Sequence, residues 1–356
     1  MKEVKSDLYV GDLINTRENN FDLLRLLAAI FVMVAHSFPL TGNPERSTLI
    51  LNMGFGSLGV KIFFVISGFL IVGSYVRNPN VFDFMKSRIL RIYPALIVVI
   101  LLSVFLLGPL VTNLSLKEYF LSTGTYQYLK MLTLFEPQFR LPGVFDSNIY
   151  KEAVNGSLWT LEYEVTFYFI IALLGVLGLL KPKILLSLFA LIFSLFELHT
   201  RYTSLSFGTI NIGYFLEFFI YFLAGSLIFL YKEFIKLDKI YLFTIVGIFL
   251  ISIPFGGVRD EVFVFIGSYL VLYLSLTPRI KFYKYNKVGD LSYGLYIYAF
   301  PVQQLITFMY GGRMEYPIIN FLIALIFSLI LAFISWNLIE KKALRLKSLN
   351  FKKSMG

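Results

Sequence analysis

Ten apolar stretches run the length of this 356-residue chain, and they restrict it to a fold built in a membrane. They lie at approximately 21–38, 58–76, 92–111, 158–180, 184–199, 210–231, 240–255, 261–277, 289–310 and 316–339. A helix needs about 20 apolar residues to cross roughly 30 Å of hydrocarbon. Most of the stretches meet that length, and those near sixteen residues are marginal. Only 15% of the residues are charged and 57% are hydrophobic, whereas a soluble domain carries about a quarter charged residues. The expected fold class is therefore all-α, a polytopic membrane helix bundle with about ten transmembrane helices.

The net charge of +10 would suit a nucleic-acid binder, but its placement argues otherwise. With the N-terminus in the cytoplasm, the inner segments hold 22 Lys/Arg and the outer ones 8, with Arg25 and Lys61 inside spans. Loops rich in Lys and Arg stay on the cytoplasmic side, so both termini are expected there, and no nucleic-acid partner is expected. The organisation that follows is a cytoplasmic segment 1–20, a membrane domain 21–340 and a basic tail 341–356. The first span is not a cleavable signal: twenty mixed residues precede it, and no small-x-small cleavage site follows. Cysteine is absent, and the two histidines, His36 and His199, are far apart. Thiol chemistry and disulfides are excluded, and no metal site is expected.

Within the first span, Arg25 and His36 are eleven residues apart, so on a helix they point about 20° from one another and are separated by about 16 Å. Asp22 falls about 60° from Arg25, on the same face. Ionisable groups in a span are costly and usually mark function. A neutral histidine can take a proton from a hydroxyl and return it, or it can simply hydrogen-bond between helices.

Four other segments carry chemistry-bearing residues. In Asn155-Gly-Ser-Leu-Trp159-Thr-Leu-Glu162-Tyr-Glu164, Glu164 reaches a depth similar to that of His36. It could orient the imidazole or pair with a cation such as Lys61. Glu162, two residues earlier, points roughly the opposite way, and Tyr168 lies one turn further on. In Gly59-Val-Lys61-Ile-Phe-Phe-Val-Ile-Ser67-Gly68, the small pair suits close helix contact, or the passage of a slender ligand. A nucleophilic role for Ser67 has no nearby support. Arg88 and Arg91, one turn apart, suit phosphate oxygens or headgroup anchoring. Gly289-Asp-Leu-Ser-Tyr-Gly-Leu-Tyr296, with Gln303 and Gln304 beyond it, could line a cavity or serve packing. The loop 112–157 is the one long connection, and it fits a lid, an acceptor-binding wall or a surface connector.

Taken in order, these segments resemble the acyltransferase-3 family of integral membrane proteins. The matches are Phe21-Asp22-x-x-Arg25 followed by His36, Gly59-Val-x-x-Phe-Phe-x-x-Ser67-Gly-Phe-Leu, Arg88-x-x-Arg91-Ile-x-Pro94, Asn155-Gly-Ser-Leu-Trp-Thr-Leu-x-x-Glu164 and Gly289-Asp-Leu-Ser-Tyr-Gly-Leu-Tyr296. Ser335-Trp336 and Glu340-Lys341 complete the set, which covers about residues 20–342. The resemblance implies ten spans in the bacterial cytoplasmic membrane. It also implies O-acetyl transfer from cytoplasmic acetyl-CoA to a surface or lipid-linked glycan, such as lipopolysaccharide O-antigen or exopolysaccharide. The expected catalytic residues are His36 and Glu164, with Arg25, Arg88 and Arg91 binding the donor. Asp22, Lys61, Ser67, Trp159 and Tyr168 are the expected substrate-facing residues. Many family members carry a histidine where this chain has Ala299, so a second catalytic histidine is not expected. The competing reading is a transporter or flippase with an intramembrane Arg/His/Glu pathway.

Overall fold

The computed structural model describes residues 8–14, 19–45, 51, 53–151, 153–196, 205–277 and 288–348. Much of the segment 1–20, the basic loop 279–287 and the end of the tail 341–356 lie outside them. The helices follow as α1 (Val10–Leu13), α2 (Phe21–Thr41), α3 (Phe55–Arg77), α4 (Val81–Leu102), α5 (Gly108–Val111), α6 (Leu116–Leu121), α7 (Thr123–Gln127), α8 (Leu161–Val176), α9 (Pro182–Phe196), α10 (Ile212–Leu230), α11 (Lys239–Ser252), α12 (Asp260–Leu276), α13 (Ser292–Met309), α14 (Pro317–Ser335) and α15 (Lys341–Arg345). A short hairpin, β1 (Ser206–Phe207) and β2 (Ile210–Asn211), forms the only sheet among the described residues.

Among the described residues, six helical segments are long and apolar enough to cross a membrane: Phe21–Thr41, Phe55–Arg77, Val81–Val111, Gly156–Val176, Ile212–Leu230 and Pro317–Arg345. The four other expected spans also fold as helices. Three of them, α9 with 15 residues, α11 with 14 and α12 with 17, fall short of a full crossing length. The fourth, α13, has 18 residues and buries Gln303 and Gln304.

The chain divides into two compact units, Met1–Ala28, Arg46–Pro79 and Phe167–Asp290 in the first, and Ala29–Glu45, Asn80–Thr166 and Leu291–Gly356 in the second. In the first unit, α3 and α10 approach until backbone meets backbone. A Cβ on Gly68 would lie 1.8 Å from the Phe222 carbonyl oxygen, and one on Gly225 would lie 2.0 Å from that of Val65. The Ser226 hydroxyl donates to the Gly68 carbonyl at 3.3 Å. Small residues let membrane helices pack this closely, because dispersion and hydrogen bonding must do what water cannot. Phe167, fully buried, packs its ring against Phe64, Phe215, Phe219 and Phe222 beside this contact.

Gly68 thus sits where helix packing leaves no room for a side chain. Gly68→Ala is expected to destabilise the protein by about 2 kcal/mol or more, because the intruded neighbour is backbone and cannot rotate away. Gly247→Ala, with nothing within 4 Å of the added Cβ, is the control. Thermal midpoints in detergent test this, and equal midpoints for the two variants would refute it.

In the second unit, α4 continues through a π-helical turn, Ser103–Leu107, into α5. Helices α13 and α14 meet where Gly294 faces Ala332, whose Cα would lie 2.8 Å from an added Cβ. In the long loop, Ser115 and Glu118 form a capping box at the start of α6, which closes the orphaned donors there. Near its end, residues 147–151 and 153–156 run beside α13. Ile149 N–H donates to the Gly312 carbonyl at 2.7 Å, and Gln304 Nε2 donates to the carbonyls of Ala153 at 2.7 Å and Tyr150 at 3.0 Å.

Candidate active site

Two residues far apart in sequence explain why α13 and residues 153–156 fit together. Pro301 lies inside α13 and has no N–H, so the carbonyl four residues earlier loses its helical donor. That carbonyl belongs to Ile297, and Asn155 Nδ2 donates to it at 2.8 Å. A buried carbonyl left unpaired would cost free energy, so the proline creates the acceptor that the asparagine fills. Asn148 Nδ2 adds bonds to the Gln304 carbonyl at 3.0 Å and to its Oε1 at 2.8 Å.

This contact brings Phe300 onto His36. The rings meet edge to face with centroids 5.0 Å apart and an interplanar angle of 75°. On its other sides Phe300 touches Tyr150, at 6.1 Å between centroids, and clusters with buried Leu40 and Ala153. The His36 Nδ1 atom is buried and has no hydrogen-bond partner. Native proteins seldom bury an imidazole nitrogen unpaired, because an unmet bond costs about 1–3 kcal/mol. Such atoms mark places where a ligand or a reaction supplies the partner.

Glu164, the carboxylate expected to orient the imidazole, makes no bond to Nδ1. Glu164 stands half-buried on α8, within electrostatic reach of the Tyr296 hydroxyl, while Glu162 is buried. Tyr296 in turn shares a hydrogen bond with Thr160, one turn before Glu164. Trp159 packs edge to face on Tyr163 at 5.8 Å. Within the second unit, α4 carries Arg88 and Arg91. Arg88 Nε donates to the Ser87 hydroxyl at 3.1 Å, and its guanidinium lies 5.8 Å from the Phe84 ring. Arg91 lies 5.6 Å from the Tyr293 ring and 3.7 Å from Glu340. Glu340 is buried at the end of a π-helical turn, Trp336–Glu340, and accepts from Ser335 Oγ at 2.9 Å.

The remaining expected residues belong to the first unit. Arg25 Nη1 meets Asp22 at 3.6 Å and Asp290 at 3.3 Å, so the expected same-face pair forms and gains a second carboxylate. Lys61, 1% exposed, is held by Asp260 at 2.8 Å and Glu217 at 3.3 Å, with its ammonium 5.4 Å from the Tyr221 ring. Those two carboxylates are its ion-pair partners, in place of Glu164. Ser67 lies on α3 beside Gly68, and Tyr168 is buried on α8.

Sequence reasoning missed Asp290, Glu340, Glu217 and Asp260 as partners, and Phe300 as the neighbour of His36. Asp290 and Glu340 stand inside the quoted motifs, so their presence was visible and their partners were not.

The sequence profile of a family described as an acyltransferase domain matches residues 18–337. An O-acetyl transferase of Shigella phage Sf6 is 30% identical over 341 residues, covering 92% of this chain and 96% of that protein. Nodulation protein 10 of Rhizobium leguminosarum bv. viciae is 38% identical over 172 residues, 44% of each chain. No solved structure matches.

Proposed function

The chain belongs to the acyltransferase-3 family, and on that premise we propose that it moves acetyl from cytoplasmic acetyl-CoA to a hydroxyl of a cell-surface polysaccharide, such as lipopolysaccharide O-antigen or exopolysaccharide. The observation that carries this reading is the buried, unpaired Nδ1 of His36 on a helix long and apolar enough to span a membrane. A neutral imidazole there accepts the acceptor's hydroxyl proton as the oxygen attacks the thioester carbonyl carbon. The C–S bond then breaks, and the imidazolium returns its proton to the departing thiolate. Glu164 favours the imidazolium through the field of its charge.

Arg25, Arg88 and Arg91 bind the donor's phosphates in this reading. Arg25 uses Nη1 for its carboxylates, which leaves the rest of its fork to meet phosphate oxygens. Asp22, Trp159 and Tyr168 keep their expected roles near substrate. The ten spans, the cytoplasmic termini and the bacterial inner membrane belong to the same proposal, supported by the 22-to-8 charge asymmetry.

The test uses the purified chain in vesicles with labelled acetyl-CoA and de-O-acetylated surface polysaccharide. Label should enter the polysaccharide with one CoA released per acetyl group. Solute movement across the vesicle without CoA release would instead support a transporter. Arg88→Ala should raise the acetyl-CoA concentration for half-maximal rate by about tenfold, the value of one lost charge-assisted bond. A change in acceptor requirement alone would remove Arg88 from the donor site.

A further inference from the structure

We infer that Phe300 is a positioning residue for His36, and that residues 147–151 and 153–156 of the long loop form a fixed strap that holds it there. This rests on the reading of His36 as the general base. Three observations from different residues converge on one ring. Phe300 contacts the imidazole edge-on at 5.0 Å. Gly156 also lies against this ring, where a Cβ would sit 2.7 Å from Phe300 Cε2 and 2.8 Å from Cζ. The strap that carries Gly156 is fastened just before it, by Asn155 on the Ile297 carbonyl and by Gln304 on the Ala153 carbonyl.

The geometry gives Gly156 a specific reason to lack a side chain. Any larger residue pushes the Phe300 ring, and that ring touches the imidazole. His36 makes no hydrogen bond through Nδ1, so the Phe300 ring is a contact that sets its plane. General-base catalysis depends on that plane, because the nitrogen lone pair must point at the hydroxyl proton. A displacement of about 1 Å in such a group costs about a hundredfold in rate. Gln304, in the same way, supplies the side-chain donor for two loop carbonyls, which ties the strap to the helix that carries Phe300. The strap is therefore a wall of the site, held in place rather than opening as a lid.

The experiment is a double-mutant cycle in the full-length protein, using Gly156→Ala, Phe300→Leu and the pair together. Acetyl transfer is measured from labelled acetyl-CoA to de-O-acetylated surface polysaccharide, with kcat per folded molecule and KM for acetyl-CoA obtained separately. Thermal midpoints establish the folded fraction. Each single variant is expected to lower kcat about tenfold or more, with KM for acetyl-CoA changed less than twofold. The pair should recover at least threefold over Gly156→Ala, because the smaller Leu side chain leaves room for the added methyl. Strictly multiplicative losses, or single variants within twofold of wild-type kcat while folded, would overturn the inference. His36→Ala runs beside them. Retained transfer in that variant overturns the reading of His36 itself, whereas loss there with normal kcat in both single variants overturns only the role of Phe300.

Discussion

Replacing His36 with alanine is expected to slow acetyl transfer by about 10²–10⁴-fold, the range a positioned general base supplies, while the protein still folds. Folding survives because the imidazole makes no hydrogen bond through Nδ1 and packs on the Phe300 ring. Leu40, Ala153 and Phe300 retain their mutual cluster without it. The same variant separates two chemistries. If His36 is a base, acetyl-CoA incubated with the wild-type protein and no acceptor leaves no label on the chain. If the imidazole attacks the thioester itself, label is trapped on His36 and lost in the variant. Near-wild-type transfer by His36→Ala at equal membrane content would sink both.

Much of the architecture is legible because lipid imposes a simple rule: a spanning segment must be helical and apolar for about 20 residues. Arg25 and His36 can be placed on one helix from their spacing alone, and both lie within α2. Gly68 reads as a close-packing position, and the Phe222 carbonyl lies where its side chain would be. Partner choice is different. Arg25 meets Asp290 across 265 positions, and Lys61 meets Asp260 across 199. Nothing in a single sequence fixes which distant carboxylate a buried cation finds. Every apolar segment offers the same periodicity, so neighbouring helices cannot be told from distant ones. The division into two compact units is hidden for that reason too. The bond between Asn155 and the Ile297 carbonyl is an instructive intermediate. A proline within an apolar helix announces a carbonyl in need of a donor, but the donor's identity required the fold.

Lys61→Met is expected to destabilise the protein by about 3 kcal/mol, the lower end for breaking a buried ion pair. Lys61 is 1% exposed and lies between Asp260 on α12 and Glu217 on α10, whose side chains are 30% and 15% exposed. Methionine fills a similar volume, so the loss is electrostatic: two carboxylates face each other with their shared cation gone. Their residual contact with water softens the repulsion, which is why the lower end applies. The triple variant Lys61→Met, Glu217→Gln, Asp260→Asn removes all three charges and should recover most of the lost thermal stability, since desolvated ion pairs add little over neutral replacements. That variant also decides what Lys61 does. With its ammonium committed to two carboxylates, Lys61 braces α3 against α10 and α12, and the folded triple variant should transfer acetyl at close to the wild-type rate. A variant that melts with the wild type yet transfers nothing would instead put Lys61 in the path of the substrate.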